Sequence, residues 1–464
     1  MSPRQRTAVL LLASVTSLMG ALDTLVVSTA LTTIRHDLGA GVESLEWTVN
    51  AYNLTLAVLL VPAAALGDRF GRRRGFVVGL VIFTVASAGC ALAPDVGTLV
   101  VARAVQGVGA AAVTSLALTL VAAAYPPAQR GRALGILEGV TGLAVLAGPG
   151  LGGVVTDLVG WEFVFWLNVP IGLVVVPLAL AVVPESRGGD TTLDTPGVVL
   201  LAGAALGVVW ALSRGNVAGW ASVEVLGSFA ISAALALAFV GRQRRARTPL
   251  LPGRLVRAPG FVAGNLATAA LFVSVFGGLF FFSQLLAVGL GFSPLQTGLG
   301  LMAWTSSLVV LGPLGGMLAD RIGNRIPLAG GLALTAAGTA WVAVAAPGLS
   351  YGELVPGFVV ASIGGSLAMP AAANAVLGGL GPDDVGKAAG VNSTLRELGG
   401  VLGLAVLVAV FAPHGGYAGP ADFVAGFVPA IWVCTAIVAA GAVAGACVPG
   451  PRPVVAPAPQ GCRA

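Results

Sequence analysis

Three carboxylates interrupt long apolar stretches of this sequence, where a charged group is costly. Asp23 lies in the first apolar run, Glu138 near the start of a later one, and Glu397 in a run close to the end of the chain. An ionised side chain inside a membrane costs several kcal/mol, so such residues are candidates for function. Surroundings of low polarity favour the neutral form of a carboxyl, which lets it take up and release a proton. The three residues therefore predict proton binding within a membrane.

Each carboxylate also has a simpler interpretation. Asp23 lies about 22 Å from the start of its helix at 1.5 Å per residue, and could instead contact polar groups at the membrane surface. Glu138 is about one turn inside its helix, where packing or a water-filled vestibule would equally explain it. Glu397 follows Arg396 directly, so we expect the two side chains to point to different faces, with Arg396 on the face of Asn392. Either of the two could line the cavity or pair within the bundle.

The composition predicts the class of protein that positions these residues. Of the 464 residues, 57% are hydrophobic and 9% are charged, whereas soluble domains carry about 25% charged residues. Apolar runs of about 20 residues, enough to cross the hydrocarbon core, recur along the whole chain. We therefore predict an all-α polytopic protein, multi-pass in a cell membrane, with the bacterial cytoplasmic membrane as its location. The four cysteines lack metal-ligand spacing, so no metal site is predicted.

Fourteen helical spans are predicted, with a retained first helix and with both termini cytoplasmic. The predicted spans are 8–31, 47–66, 76–93, 98–121, 133–156, 163–183, 195–213, 222–240, 260–283, 296–319, 327–346, 353–376, 389–411 and 424–448. Cytoplasmic segments of membrane proteins are rich in Lys and Arg. Of the 24 such residues, this assignment leaves Arg35 and Arg214 outside, Arg103 and Arg396 within spans, and all the others cytoplasmic. The net charge of +5 is thus explained by orientation, and no nucleic-acid partner is expected.

A short motif occurs twice and indicates a duplicated structure. ALGDRFGRRR at 65–74 is repeated as MLADRIGNR at 317–325, so that Asp68 corresponds to Asp320 and Arg69 to Arg321. Parallel repeats of this kind are a transporter architecture, with the substrate path between the halves. The predicted units are an N-terminal six-helix bundle at 1–184, an inserted helix pair with a basic loop at 185–258, a C-terminal six-helix bundle at 259–449 and a disordered tail at 450–464.

The repeated motif does more than set orientation. Its arginines would hold the loop in the cytoplasm, but its carboxylate and its two glycines need another explanation. Glycine allows a sharp turn, and Asp68 can pair with an arginine or with a helix end. An ion pair that forms in one conformation and breaks in another would act as a latch. The predicted latch residues are Gly67, Asp68, Arg69, Gly71, Arg72, Asp320 and Arg321.

Taken together and in order, the motifs make this sequence similar to the 14-helix drug:proton antiporters of the major facilitator superfamily. The stretches that carry the resemblance are ALDTLVVSTAL, GDRFGRRR, RAVQGVGAA, GLAVLAGPGLGG, WEFVFWLNVP and NSTLRELGGVLGLAV. The resemblance implies that Asp68 contacts the opposite half and stabilises an outward-open state. It also implies that Arg103 takes part in proton coupling and that acids of spans 1 and 13 take part in cation recognition.

Two of these implied roles have alternatives in the residues themselves. Arg103 lies about one turn inside its span and could extend to the membrane surface. The glycine-rich fifth span could serve close helix packing, with its proline bending the helix. In the family the same motif is associated with antiporters. Its residues here are Gly142, Gly148, Pro149, Gly152 and Gly153.

The predicted function is proton-coupled antiport that exports amphipathic, cationic drugs, antibiotics or secondary metabolites by alternating access. We expect no cofactor and no enzymatic activity, a small-molecule substrate, protons and the lipid bilayer as partners, and a functional monomer. The predicted proton-coupling residues are Asp23, Arg103, Glu138 and Glu397. The predicted substrate cavity is lined by Asp23, Tyr52, Asn53, Gln284, Trp304, Asn374 and Arg396. The alternative is a symporter or facilitator of a small nutrient or metabolite with the same fold.

Overall fold

The computed structural model describes residues 1–187, 194–246, 249, 253–377 and 382–449, and all the regular secondary structure in this part of the chain is helical. The helices are α1 (Pro3–Leu38), α2 (Val42–Phe70), α3 (Arg72–Ala91), α4 (Val96–Ala124), α5 (Pro127–Val159), α6 (Glu162–Trp166), α7 (Asn168–Val182), α8 (Thr195–Ala218), α9 (Val223–Arg245), α10 (Gly253–Val256), α11 (Pro259–Gln284), α12 (Pro294–Ile322), α13 (Arg325–Ala345), α14 (Tyr351–Leu377), α15 (Pro382–Phe411) and α16 (Pro420–Ala446). A π-helical turn at Leu285–Gly289 extends α11, and a 3-10 turn at Ala346–Gly348 follows α13. The predicted disordered tail lies outside the described residues.

The helices are long enough and apolar enough for a multi-span membrane protein. Each predicted span lies on one of them, the sixth on α6 and α7 together. Within the described residues, 11 helices satisfy the length and hydropathy expected of a span, and 12 do if the bent helix α2 is counted. Helices α5 and α12, with 33 and 29 residues, have the length to cross as well. The prediction of an all-helical multi-span protein is confirmed, and the number fourteen stays a prediction.

Local signals in the sequence explain where individual helices begin and end. Helix α1 starts at a capping box, in which the hydroxyl of Ser2 accepts from the amide of Gln5 at 3.3 Å and the Gln5 side chain accepts from the amide of Ser2 at 3.1 Å. It ends at Gly39, whose φ of 60° lies in the left-handed region that glycine adopts without strain. Helix α12 starts at a second capping box, formed by Ser293 and Gln296.

The helices pack as two groups that meet along two seams. In the first group α2 and α3 pack against α4, and α1 packs against α5. In the second group α13 packs against α14 and α16, and α11 packs against α15. The groups meet where α5 contacts α12 and where α2 contacts α15. We call the end of the bundle where α1 finishes and α2 starts the α1–α2 end.

Glycines allow α3 and α4 to approach closely. A Cβ atom added to Gly109 would lie 2.5 Å from the backbone nitrogen of Phe83 and 2.7 Å from the carbonyl oxygen of Gly79. These neighbours are backbone atoms, which cannot rotate away as a side chain does. The contact between the two helices therefore depends on the missing side chain of Gly109.

Gly109→Ala is expected to lower the free energy of unfolding by about 1–3 kcal/mol, because the added methyl group overpacks the α3–α4 contact. Thermal unfolding of the purified protein in detergent would measure the change. Gly89→Ala is the matched control, since its Cβ would meet Ala102 of α4 at an ordinary 3.7 Å. Equal unfolding of the two variants would show that α3 and α4 are farther apart than described.

Candidate functional site

The first candidate site is an ion pair buried between α1 and α4. An oxygen of Asp23 (Oδ2) lies 2.5 Å from Nη1 of Arg103, and both side chains are almost fully buried. The same Nη1 donates to Oε1 of Gln106 at 2.7 Å, and Nε of Arg103 donates to the carbonyl oxygen of Thr48 at 3.1 Å. Both charged groups are therefore directed into the bundle, onto partners within the protein.

The second carboxylate oxygen of Asp23 is paired as well. Its Oδ1 accepts from Nε2 of Gln106 at 2.8 Å and from Nδ2 of Asn168 at 2.8 Å. The same two amides also donate to the hydroxyl of Ser87, at 3.3 and 3.0 Å. That hydroxyl in turn donates to the carbonyl oxygen of Phe165 at 2.9 Å. Helices α1, α3, α4 and α7 thus converge on one carboxylate, so its charge is coupled to how these helices sit together.

Aromatic rings enclose the arginine of this cluster. The guanidinium carbon of Arg103 lies 4.1 Å from the ring centroid of Tyr52 on α2 and 5.7 Å from that of Phe165 on α6. Such cation–π contacts stabilise a cation that has lost its water. Tyr52 was predicted as a cavity residue, and the structure places its ring against the ion pair.

Two members of the cluster, Gln106 and Asn168, were not selected from the sequence. Gln106 lies three residues after Arg103, on the same face of α4, and Asn168 is the first residue of α7. Neutral amides in apolar helices commonly tie two helices together. The sequence did point to both residues, because each lies in a stretch that carries the family resemblance: Gln106 in RAVQGVGAA and Asn168 in WEFVFWLNVP.

The second helical group carries its own buried carboxylate, Glu397 on α15. Its Oε1 lies 3.2 Å from Nε of Arg396, and its side chain is largely buried. The prediction that these neighbours point to different faces is wrong for their charged groups, because both side chains are long enough to bend towards each other. The Arg396 guanidinium also lies 5.3 Å from the ring of Phe272. Asn392 donates instead to Asn265 of α11, at 3.0 Å.

The remaining predicted cavity residues lie on separate helices. Gln284 is buried and accepts a hydrogen bond from the hydroxyl of Tyr417. The ring of Trp304 packs edge-on against Phe282, Asn53 is buried in α2, and Asn374 is exposed on α14.

The glycines of the antiporter motif place the backbone of α5 directly against α1. A Cβ on Gly148 would lie 2.8 Å from Cβ of Leu25, and one on Gly152 would lie 2.4 Å from the hydroxyl of Thr29. The four-residue spacing puts both glycines on one face of α5. Helix α1, which carries Asp23, is therefore held against α5 at positions two and six residues beyond that carboxylate.

A neighbouring side of α5 contacts the second helical group at the α1–α2 end. A Cβ on Gly153 would lie 2.3 Å from the carbonyl oxygen of Pro294, and one on Gly298 would lie 2.1 Å from the carbonyl oxygen of Pro149. Helices α5 and α12 thus touch backbone to backbone. The two groups are closed against each other at this end.

A polar contact closes the same end between α1 and the loop after α15. The guanidinium of Arg35 lies 4.1 Å from the ring centroid of Tyr417. Burial raises the pKa of the Tyr417 phenol, which stays neutral and donates to Gln284 of α11. One loop residue therefore joins the end of α1 to the second group.

The Asp68 carboxylate of the predicted latch pairs within the first group. Asp68 Oδ1 lies 2.6 Å from Nε of Arg72, one turn later in the chain. Between them the backbone turns at Gly71, which has a φ of 121°. Oε1 of Glu185, just beyond α7, accepts from the backbone amide of Arg73 at 3.0 Å. Glu185 was not selected from the sequence, and it fixes the start of α3 to the end of α7.

The other latch residues have simpler surroundings. The guanidinium of Arg69 lies 5.4 Å from the ring of Phe70, Gly67 faces the side chain of Leu116, and Arg321 is exposed. Three predicted residues have side chains outside the described part of the structure: Glu138, Gly142 and Asp320.

Comparisons with known proteins identify the family of this chain and several similar proteins. Residues 12–404 match the sequence model of the Major Facilitator Superfamily. The tetracenomycin C resistance and export protein of Streptomyces glaucescens is 35% identical over 410 residues, which cover 88% of this chain and 76% of that protein. The multidrug resistance protein Stp of Mycobacterium tuberculosis is 33% identical over 393 residues, covering 84% and 73%. The crystal structure of a POT family transporter in complex with 5-aminolevulinic acid is similar in fold, with a TM-score of 0.69 at 14% identity over 94% of this chain and 95% of that one.

Proposed function

The chain belongs to the major facilitator superfamily, and on that premise we propose that it is a proton-coupled antiporter exporting amphipathic, cationic drugs, antibiotics or secondary metabolites. It is a multi-pass transporter of the cell membrane and not an enzyme, as the sequence predicted. Two relatives, a tetracenomycin C resistance and export protein and a multidrug resistance protein, support drugs and antibiotics as the cargo.

The buried ion pair of Asp23 and Arg103 carries the proposal of proton coupling. A proton on Asp23 would remove the charge that Arg103 neutralises and weaken their 2.5 Å contact. Arg103 would keep its hydrogen bonds to Gln106 and Thr48 on α4 and α2, whereas α1 would lose its ionic contact with α4. Asp23 is then the proton carrier, and Arg103 is the positioning residue that makes helix packing depend on its charge. Glu397 offers a second such carboxylate in the other half.

We assign the two helical groups to the two halves of an alternating-access transporter, bounded at 1–184 and 259–449. With fourteen spans and cytoplasmic termini, the α1–α2 end faces outwards. Its closure along α5 and α12 corresponds to a state in which the path is shut to the outside. Export then requires this seam to open, which gives an outward-open state. We propose that in this state Asp68 leaves Arg72 and pairs with a residue of the other half. The transporter would act as a monomer.

Expression in an efflux-deficient bacterium is expected to lower the cellular accumulation of a fluorescent lipophilic cation, and a protonophore should abolish that effect. Time-resolved fluorescence of loaded cells would measure it, with cells carrying an empty vector as the control. A nutrient symporter or facilitator would instead leave accumulation of the cation unchanged in every condition. Protection against a single antibiotic, without effect on the cation, would narrow the cargo to one compound.

A further inference from the structure

Helix α8, the first of the inserted pair, reaches the first half of the protein at the α1–α2 end. The hydroxyl of Ser213 lies 3.1 Å from both carboxylate oxygens of Glu46, near the start of α2. Asn50, one turn further along α2, donates to the same carboxylate at 2.9 Å. Glu46 is completely buried, so α8 is attached to α2 through a buried acidic side chain.

One turn later, α8 also reaches the second half. Nδ2 of Asn216 donates to the carbonyl oxygen of Ala409 on α15 at 2.7 Å. Within a helix this carbonyl would accept from the amide four residues on, but that residue is Pro413, which has no N–H. Asn216 therefore supplies a donor that α15 itself lacks. Trp220 donates to Oδ1 of Asn216 at 3.0 Å and fixes the orientation of the amide.

Apolar packing places α8 across the seam between the halves. Buried side chains of α2, α8 and α15 form one cluster. Its members include Leu54 and Val58 of α2, Val209 of α8, and Leu398 and Val401 of α15. Helices α2 and α15 belong to different halves and contact each other directly. The inserted helix thus covers the α2–α15 seam and is hydrogen-bonded to both of its sides.

We propose that α8 is a clasp that holds the α2–α15 seam closed at the α1–α2 end and releases α15 in every transport cycle. This inference rests on the proposed function, because alternating access separates the halves at this end. Helix α8 cannot then keep both contacts. Ser213 contacts both carboxyl oxygens of Glu46, and Asn50 holds that carboxyl on α2, whereas Asn216 reaches α15 through a single bond to Ala409. The inserted pair therefore stays with α2, and the Asn216–Ala409 bond is the one that breaks.

A reversible cross-link tests the release. In a background with all four cysteines replaced, N216C/A409C would be joined by a short bifunctional methanethiosulfonate reagent. Transport of the lipophilic cation by proteoliposomes is expected to be lost on cross-linking and restored by reductant. The reduced protein provides the baseline for the two substitutions themselves, and the mobility of the purified protein on a gel reports the extent of cross-linking.

A second cross-link, within the inserted pair, is the matched control. A Cβ on Gly207 of α8 would lie 3.5 Å from Cβ of Ser232 on α9, a separation that a disulfide spans. Since α8 and α9 are expected to move together, G207C/S232C should transport equally well when oxidised and reduced. Loss of transport in both pairs would indicate that any cross-link on α8 is harmful, which overturns the clasp.

Failure of the clasp can be told apart from failure of the proposed function. If N216C/A409C transports equally well with and without the cross-link, the halves do not separate at α8 and the clasp is wrong. If the wild type transports no test cation, the proposed function has failed instead. In that case spin labels at positions 216 and 409 would test the clasp without a transport assay. A clasp predicts two distances between the labels as the pH is varied, whereas a static contact predicts a single distance.

Discussion

The Asp23→Asn variant is expected to have no protonophore-sensitive export and a lower stability. The substitution removes the negative partner of Arg103 and leaves its guanidinium buried among α1, α2, α4 and α6. Breaking a buried ion pair by removing one partner costs about 3–5 kcal/mol. The neutral amide also cannot bind and release a proton as a carboxyl does. Cation efflux from cells, together with thermal unfolding in detergent, would measure both effects.

A double substitution separates the structural effect from the effect on coupling. In Asp23→Asn combined with Arg103→Gln, both charges are absent, so the stability is expected to return towards that of the wild type. Export should stay absent, because the proton carrier is missing. Asp37→Asn is the matched control on the same helix, since Asp37 lies beside the exposed His36 at 3.1 Å and makes no buried pair. Normal export by the Asp23→Asn variant would refute the role of this carboxylate.

The positions of the helices could be predicted because they depend on local properties of the sequence. The length of an apolar run and the arginines at its ends identify a span without knowledge of its neighbours. The break at Leu167, between α6 and α7, and the π-helical turn after Gln284 were not predicted. Both are local adjustments of the backbone, and a long apolar run does not indicate where one occurs.

The members of the site were easier to predict than their pairing. Asp23 and Arg103 attract attention because a charge in an apolar run is unusual, yet 80 residues separate them and only helix packing brings them into contact. Glu46 was missed for a different reason. The predicted second span began one residue after it, whereas α2 begins at Val42, so that Glu46 is inside the bundle. Errors of a few residues at helix ends thus decide whether a carboxylate is taken as buried.

The latch illustrates how conformation limits prediction from sequence. The family resemblance implied a contact between Asp68 and the opposite half in an outward-open state. In this structure, which is closed at the α1–α2 end, Asp68 pairs with Arg72 in its own half. Which pair forms depends on the conformation of the protein, and the residues alone do not tell which conformation is populated.

Substituting Gly298 by leucine is expected to abolish transport by preventing closure at the α1–α2 end. A Cβ at this position would lie 2.1 Å from the carbonyl oxygen of Pro149. Since the obstructing atom belongs to the backbone of α5, the side chain can be accommodated only if the two halves separate. The variant should therefore fold but remain open at this end. Transport assays and the reactivity of a cysteine at Gln284, which is completely buried here, would report the two effects.

Two further variants assign the effect to the contact between the halves. Gly312→Leu, on the same helix α12, has open space around its Cβ and is expected to transport normally and to keep the cysteine at position 284 protected. Gly153→Leu is on the other helix of the crossing, with its Cβ 2.3 Å from the carbonyl oxygen of Pro294, and should reproduce the phenotype of Gly298→Leu. Agreement between variants on opposite helices would exclude an effect specific to either helix. Normal transport by both would show that export does not require α5 and α12 to meet, which would contradict alternating access along this seam.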